Sequence, residues 1–267
     1  MLYVPGSKFP PDRYPAAPSA RLVRTKDLCR QDHGSPVATM YVSSRGGAIR
    51  RLIGSAHRHV IAMRRDPQIG YGQPTEGVGE GPAVVRCATD PDIHYYQTQP
   101  FRVVLLVGGK LRSWTADLLY VTRDGTVWVR EIKRTLADLA EPEYQAKLEA
   151  VCWLLSGLGW NFKPWILEEI LGPVARQVNA ATIYFDRAAS LDALMPRFEA
   201  IAATTRVTTF GDLVRALDGH NTNQARAAVH RLIMMGRVWA DLDYLLEDWS
   251  TVRLRPAARV ALDLPFA

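Results

Sequence analysis

The chain has 267 residues, 48% of them hydrophobic, and a formal net charge of +6. That length and apolar content can bury one large core, or a medium core and a small one. No apolar run is long enough to cross a membrane, and the proline-rich N-terminus lacks the apolar segment of a secretory signal. Three separated cysteines, Cys29, Cys87 and Cys152, argue against a disulfide scaffold or structural zinc. We expect a cytoplasmic globular protein.

The positive charge is concentrated near the N-terminus. Residues 1–70 hold 12 Lys and Arg against 4 Asp and Glu, a net charge of +8, which leaves −2 for residues 71–267. A basic segment of this kind suggests a polyanionic partner, or simply a solvated, partly disordered arm. Charge alone does not separate the two.

Residues 1–35 have the composition of an extended arm, and residues 47–65 carry apolar side chains at helical spacing, which predicts a helix. The Gly-rich stretch IGYGQPTEGVGEGP, residues 69–82, is predicted to be a flexible loop. The overlapping segment GEGPAVVRCATDP, residues 79–91, has poor helix propensity because of its glycines and paired valines.

A block that alternates strand and helix signals follows. FRVVLLV, LRSWTADLLYVT and GTVWVREIK are predicted to be three strands, and EPEYQAKLEAVCWLLSGLG a helix. Helices that follow and flank strands indicate an α/β fold with a central sheet between helices.

The last 60 or so residues follow a different pattern. TTFGDLVRALDG is predicted to be a short helix with Thr209 as its N-cap, and TNQARAAVHRLIMMGRV a longer one. Two short strands follow, which is the order of a winged helix, a variant of helix-turn-helix. The second helix would read DNA with side chains such as Asn223, Arg226 and Arg231, although small winged helices also only hold proteins together. We therefore divide the chain into three parts: a basic N-terminal arm and helix (1–74), a central α/β domain (75–203) and a winged-helix-like domain (204–267).

The hairpin of residues 115–133 carries charges among apolar strand positions. A three-residue loop with Gly125 in the left-handed conformation places Asp117 opposite Glu131, with Lys133 on the same face. Opposed carboxylates with apolar neighbours repel each other unless a positive group lies between them. A divalent cation fits this requirement better than Lys133 alone, and a salt-bridged sheet rim is the alternative. Trp114 and Trp128 are predicted to lie on the opposite face.

An aspartate, a hairpin and then Glu-x-Lys form a pattern that resembles the PD-(D/E)xK nuclease superfamily. Residues 90–103, 114–133 and 159–170 are similar to successive blocks of the TnsA-type endonuclease subunit of heteromeric bacterial transposases. The resemblance covers roughly residues 75–255. The chain departs from the family at Ala116, where the family has proline, and at Leu167 and Glu168, where it has Thr-Glu.

The resemblance implies a restriction-endonuclease-like core with a mixed central sheet, a winged-helix-like C-terminal domain and a Mg²⁺ site that also accepts Mn²⁺. The residues that it places at this site are Glu80, Asp117, Glu131, the carbonyl of Ile132, and Lys133. Glu80 is found by counting back from Gln99, and Glu76 is close enough to compete. Gln99 and Tyr144 are expected to orient DNA.

By the same resemblance, the protein cuts the 5′ strands at transposon ends and leaves 5′-phosphate and 3′-hydroxyl groups. Its expected partners are DNA, a DDE-type transposase subunit and an AAA ATPase regulator. Two alternatives remain open: a non-catalytic DNA-binding or scaffold protein that retains the nuclease fold, and a stand-alone restriction or repair nuclease.

Overall fold

The computed structural model describes residues 20–23, 38–43, 48–49, 61–65 and 72–256. The helices are α1 Gly77–Thr89, α2 Pro142–Gly157, α3 Leu167–Leu171, α4 Val174–Phe185, α5 Met195–Thr204, α6 Phe210–Leu217 and α7 Thr222–Met234. The strands are β1 Ala20–Val23, β2 Ala38–Ser43, β3 Ile61–Arg65, β4 Gly72–Glu76, β5 Ile93–Thr98, β6 Phe101–Val107, β7 Lys110–Thr115, β8 Leu118–Thr122, β9 Val127–Lys133, β10 Asn161–Ile166, β11 Val207–Thr209, β12 Val238–Ala240 and β13 Thr251–Leu254. None of the described helices has the length and apolar character needed to cross a membrane.

The strands form four sheets. The first sheet has the order β1-β2-β6-β7 and is antiparallel. The second sheet has the order β10-β9-β8-β5 and is mixed, because β10 runs parallel to β9. A small antiparallel sheet β11-β13-β12 and the pair β3-β4 complete the set. The chain is therefore an α/β protein with mixed and antiparallel sheets flanked by helices, as expected.

The N-terminal segment supplies strands to these sheets. Strand β2 lies between β1 and β6, and Met40 on it is buried. The helix predicted over residues 47–65 is wrong at its C-terminal end, because Ile61–Arg65 pairs with β4 as a strand. Residues 50–60 of that prediction, and most of the predicted arm at 1–35, lie outside the described residues.

The Gly-rich stretch is not a loop where the structure describes it, because β4 ends at Glu76 and α1 begins at Gly77. Gly77 has a φ of +82°, a backbone conformation that glycine adopts more easily than other residues. This conformation lets the chain turn from strand into helix. Helix α1 forms despite Pro82 because its apolar face, including Ala83 and Val84, is buried against β5, α3 and α4. Burial of an apolar face stabilises a helix more than intrinsic propensity does.

The strand predicted over residues 111–122 is two strands in two different sheets. β7 pairs with β6 in the first sheet, whereas β8 lies between β9 and β5 in the second. The link between them is held by hydrogen bonds from Ala116 N to Phe101 O (3.1 Å) and from Gln99 N to Asp117 O (2.9 Å). Asp117 therefore lies at the corner where the chain passes from one sheet to the other.

The second sheet separates two hydrophobic clusters. Leu119 and Val129 belong to the cluster that contains α2 and the first sheet. Leu118 and Tyr120, whose side chains alternate with these along the strand, belong to the cluster that contains α1. This second cluster continues into α6 and α7, so it includes residues on both sides of the predicted boundary at 203/204.

The C-terminal region contains the predicted order of two helices and two strands, with β11 added to the sheet. Thr209 caps α6 as expected, since its hydroxyl accepts a hydrogen bond from Asp212 N at 3.1 Å. The C-terminal region contacts the β8–β9 hairpin at the turn of the hairpin. Arg123 donates to Pro91 O at 2.7 Å and covers Gly236, where an added Cβ would lie 1.9 Å from Arg123 Nε.

Candidate active site

The register predicted for the hairpin is confirmed. Leu118 is opposite Arg130 and Val121 is opposite Val127, the pairing that brings Asp117 and Glu131 to the same end of the hairpin. The loop closes through a hydrogen bond from Thr122 N to Thr126 O, and Gly125 has a φ of +87°. The amide of Ile132, directly after Glu131, donates to Asp117 Oδ2 at 2.8 Å. The two acidic residues are thus neighbours at the sheet corner.

The carboxylate of Glu131 is buried and receives three donors. Trp114 Nε1 donates to Oε2 at 2.6 Å, the hydroxyl of Tyr144 donates to Oε1, and Lys133 Nζ lies 2.7 Å from Oε1. Charge-assisted hydrogen bonds of this kind fix the orientation of a carboxylate. The three groups that bind Glu131 therefore come from three different elements, β7, α2 and its own strand β9.

The predicted position of Trp114 is wrong. Because the chain changes sheets at Asp117, β7 does not continue the line of β8. The indole of Trp114 on β7 therefore contacts Glu131. Trp128 does lie on the face opposite the carboxylates, where it stacks on Tyr120 at 6.4 Å between ring centroids.

The electrostatics of the site are dominated by negative charge. Burial raises the pKa of Asp117 well above its ordinary value, and the charges of Glu131 and Glu80 raise it further. The hydrogen bond from Ile132 and the ammonium of Lys133 act in the opposite direction and offset this only in part. An additional positive charge would stabilise these side chains.

Glu80 reaches this cluster because α1 approaches β9 very closely. A Cβ added to Gly79 would lie 2.8 Å from Ile132 Cγ2, so a side chain at position 79 would push the helix away. Glu80 is 9% exposed, and its Oε2 accepts a hydrogen bond from Glu76 N at 2.7 Å. Of the two competing glutamates, Glu80 is the one whose charge acts on Asp117. We name Glu80, Asp117 and Glu131 the carboxylate site.

Two lysines flank the ring of Tyr144 beside the carboxylate site. Lys133 Nζ lies 4.9 Å from the ring centroid and Lys147 Nζ 4.4 Å from it. Burial raises the pKa of Tyr144, and the negative charge of Glu131 adds to this, so the hydroxyl stays protonated and donates to Glu131. Sequence reasoning missed Lys147; the available signal was its spacing of three residues from Tyr144 on a predicted helix.

Gln99 forms part of the sheet corner rather than of a surface. Its backbone bonds to Asp117 O and accepts from Ile49 N at 2.9 Å, with a φ of +47° that is unusual for a residue other than glycine. Its side chain is fully buried, and neither of its polar atoms has a hydrogen-bond partner among the described residues. Backbone strain beside an acidic cluster is typical of functional sites. The position does not favour direct contact of Gln99 with DNA.

The side chains predicted to read DNA from α7 differ in exposure. Asn223 is exposed in the first turn. Arg226 pairs with Asp248 at 2.7 Å, and Arg231 donates to the carbonyl of Arg187 at 2.9 Å. Because α7 packs against α4, α6 and β12, its open surface consists of the first turn and the side chain of Arg226, which is 40% exposed. Arg226 is thus held in an exposed ion pair and Arg231 in a partly buried hydrogen bond, and their contact with DNA stays a prediction.

The side chains of the carboxylate site suit a hard divalent cation in their chemistry, since all of them offer carboxylate oxygens. No group of three His, Cys, Asp or Glu side chains within the described ranges is already arranged to hold a metal ion. A cation could bind Glu131 through Oε2, which accepts only from Trp114 among the described residues, or replace Lys133 or Tyr144 at Oε1.

No protein-family model matches the chain, and a search among curated proteins finds no match.

Proposed function

We propose that this chain is a Mg²⁺-dependent DNA endonuclease with a restriction-endonuclease-like core and a winged-helix-like C-terminal domain. The observation that carries the proposal is the arrangement of Asp117, Glu131 and Lys133 at one end of a hairpin, with the buried Glu80 acting on Asp117 from α1. Acidic groups whose pKa values are strongly perturbed by burial and by each other are typical of catalytic sites. The site lies on the mixed second sheet, with α1 and α2 on its two faces.

Asp117 and Glu131 would hold the cation, with the Ile132 carbonyl and Glu80 as further ligands, the last through water. A bound Mg²⁺ or Mn²⁺ would polarise a phosphodiester oxygen and would lower the pKa of a water molecule bound to it. The ammonium of Lys133, already paired with Glu131, would position the attacking water and stabilise the charge of the transition state. The water oxygen would bond to phosphorus as the bond between phosphorus and the 3′ oxygen breaks. One proton of the water passes through solvent to the 3′ oxygen, which leaves a 5′-phosphate and a 3′-hydroxyl.

As the biological role we propose the subunit of a heteromeric transposase that cuts the 5′ strands at transposon ends. The support is the resemblance of residues 75–255 to TnsA-type endonucleases, together with the two helices and β-hairpin after residue 204. The partners in this role are a DDE-type transposase subunit and an AAA ATPase regulator. Genes for these two proteins beside this one would favour transposition over a stand-alone restriction or repair nuclease.

One observation favours a second candidate function. Glu131 is held by three donors and, in the part of the chain that the structure describes, no three-residue metal group is preformed. A non-catalytic DNA-binding or scaffold protein that retains the fold would have such a satisfied carboxylate.

Cleavage of transposon-end DNA distinguishes these functions. We expect the protein, with the neighbouring transposase and Mg²⁺, to cut the 5′ strand. Asp117→Ala and Lys133→Ala should abolish cutting and retain DNA binding, whereas Lys110→Ala, an exposed lysine at the far end of β7, should cut normally. Undiminished cutting by Asp117→Ala would refute the site, and binding without any cutting by the wild type would favour the scaffold.

A further inference from the structure

Lys147 projects from α2 onto the Tyr144 ring, next to the carboxylate site. It follows Tyr144 by three residues and therefore shares its helix face. Its ammonium lies 4.4 Å from the ring centroid, and that of Lys133 lies 4.9 Å from the same centroid. Two positive groups are thus fixed on one aromatic ring, and only Lys133 also contacts Glu131.

Lys147 has no carboxylate partner among the residues that the structure describes. Glu131 and Glu143 bind other cations, since Lys133 pairs with Glu131 and Arg112 pairs with Glu143 at 2.9 Å. Glu141 acts on Lys147 through its charge but forms no ion pair with it. Burial lowers the pKa of Lys147, and the positive charges of Lys133 and Arg112 lower it further, while the negative charges of Glu131 and Glu141 offset part of this change. A half-buried ammonium without an anion is unfavourable, and an anion bound there would stabilise it.

We propose that Lys147 binds a backbone phosphate of the DNA strand, adjacent to the phosphodiester that the carboxylate site cleaves. This inference rests on the proposed nuclease function. Lysine binds phosphate as a point charge, and its contact with the ring holds the charge near the site before DNA arrives. Lys133 acts at the phosphate that is cleaved, and Lys147 binds the next phosphate along the same strand.

The salt dependence of DNA binding measures this contact. Each phosphate contact contributes about 0.9 to the slope of log K against log salt concentration. We expect Lys147→Met, which keeps the apolar stem on Tyr144, to lower that slope by about 1 and to raise Kd roughly five- to tenfold at ~0.1 M salt. Lys147→Arg should restore both values, and Lys110→Met, which removes an exposed charge at the far end of β7, should leave both unchanged.

Fluorescence anisotropy of a labelled DNA duplex in EDTA gives Kd without cleavage, and a parallel Mg²⁺ assay of the wild type reports the nuclease. A wild-type slope and Kd in Lys147→Met, with an active wild-type enzyme, would overturn the phosphate contact alone. A wild type that neither binds nor cuts DNA would overturn the nuclease and this inference together. If Lys147→Met fails to fold, as thermal unfolding would show, Lys147→Gln provides the same comparison.

Discussion

The carboxyl group of Asp117 is buried beside two other acidic side chains, and this has a direct consequence for stability. Because burial and the charges of Glu131 and Glu80 raise its pKa, the folded protein binds a proton at Asp117 more tightly than the unfolded chain does. The stabilising contribution of Asp117 is therefore present below its ordinary pKa and is lost as the pH rises towards the folded value. At neutral pH without metal, Asp117 destabilises the fold.

Asp117→Asn should consequently raise the free energy of unfolding in EDTA at neutral pH, by about 0.5–2 kcal/mol, the usual size of such gains. The asparagine keeps an oxygen that can accept from Ile132 N. Mg²⁺ should stabilise the wild type, by about 2.7 kcal/mol at 100 times its Kd, and have no effect on the variant. Urea denaturation measures both, with Glu149→Gln as a control for loss of an exposed charge. A variant less stable than the wild type in EDTA would contradict this account.

Gly79 determines how closely α1 approaches β9. An added methyl group would meet Ile132 Cγ2 at 2.8 Å, so we expect Gly79→Ala to destabilise the protein by about 1–3 kcal/mol and to reduce cleavage by displacing Glu80. Ile132→Ala in the same chain should recover part of the loss. Gly219→Ala, where the nearest atom lies 3.6 Å away, is the matched control. Thermal unfolding and cleavage rates that are equal in the two alanine variants would show that the close approach is unimportant.

At the residue level, sequence reasoning could establish the hairpin pairing but not every neighbour. Turn chemistry at Gly125 and the alternation of side chains suffice to place Asp117 near Glu131. The contacts of Trp114 and Lys147 depend on how separate elements meet around Glu131, which a local pattern does not contain. Glu80 was reached only through the family resemblance, and its burial depends on the absence of a side chain at Gly79.

At the level of elements, strands were easier to predict than the points where they change partner. Residues 111–122 contain no Gly or Pro that would mark a break, although β7 and β8 belong to different sheets. The start of helix α1 is predicted to be a flexible loop because its local helix propensity is poor. Tertiary packing, which the local sequence does not contain, makes it helical. Both errors lie next to the carboxylate site, where the backbone departs from regular geometry at Gln99.

The β8–β9 hairpin also anchors the C-terminal region through its tip. Arg123 fills the space above Gly236, which has a φ of +63°. We expect Gly236→Ala to lower the free energy of unfolding by about 1–2 kcal/mol for the backbone alone, and by a further 1–3 kcal/mol for displacing Arg123. Gly109→Ala, at a φ of +73° with open space around it, isolates the backbone contribution.

Chemical denaturation of these variants, and of Gly236→Ala combined with Arg123→Ala, separates the two terms. In the double variant, the part of the destabilisation that comes from displacing the Arg123 side chain should be absent. Equal destabilisation at positions 236 and 109 would mean that the hairpin tip does not hold the C-terminal region.

Across the whole molecule, the carboxylate site lies at the junction of two sheets whose strands come from distant parts of the chain. Strand β2, from the basic N-terminal segment, pairs with β6, and one hydrophobic cluster joins α1 to α7. Composition and periodicity predicted the α/β class and the order of the C-terminal elements. They could not predict this continuity, because it depends on which faces meet in three dimensions.

The most direct test of the account is anomalous diffraction from crystals of the protein soaked in Mn²⁺. We expect a peak at about 2.0–2.2 Å from carboxylate oxygens of both Asp117 and Glu131, the usual range for a small divalent cation. On Glu131 the ion should bind Oε2 beside Trp114 or take the place of Tyr144 or Lys133 at Oε1. An ordered site with no peak, in which Glu131 still binds Trp114, Tyr144 and Lys133, would contradict the claim that these carboxylates form a metal centre.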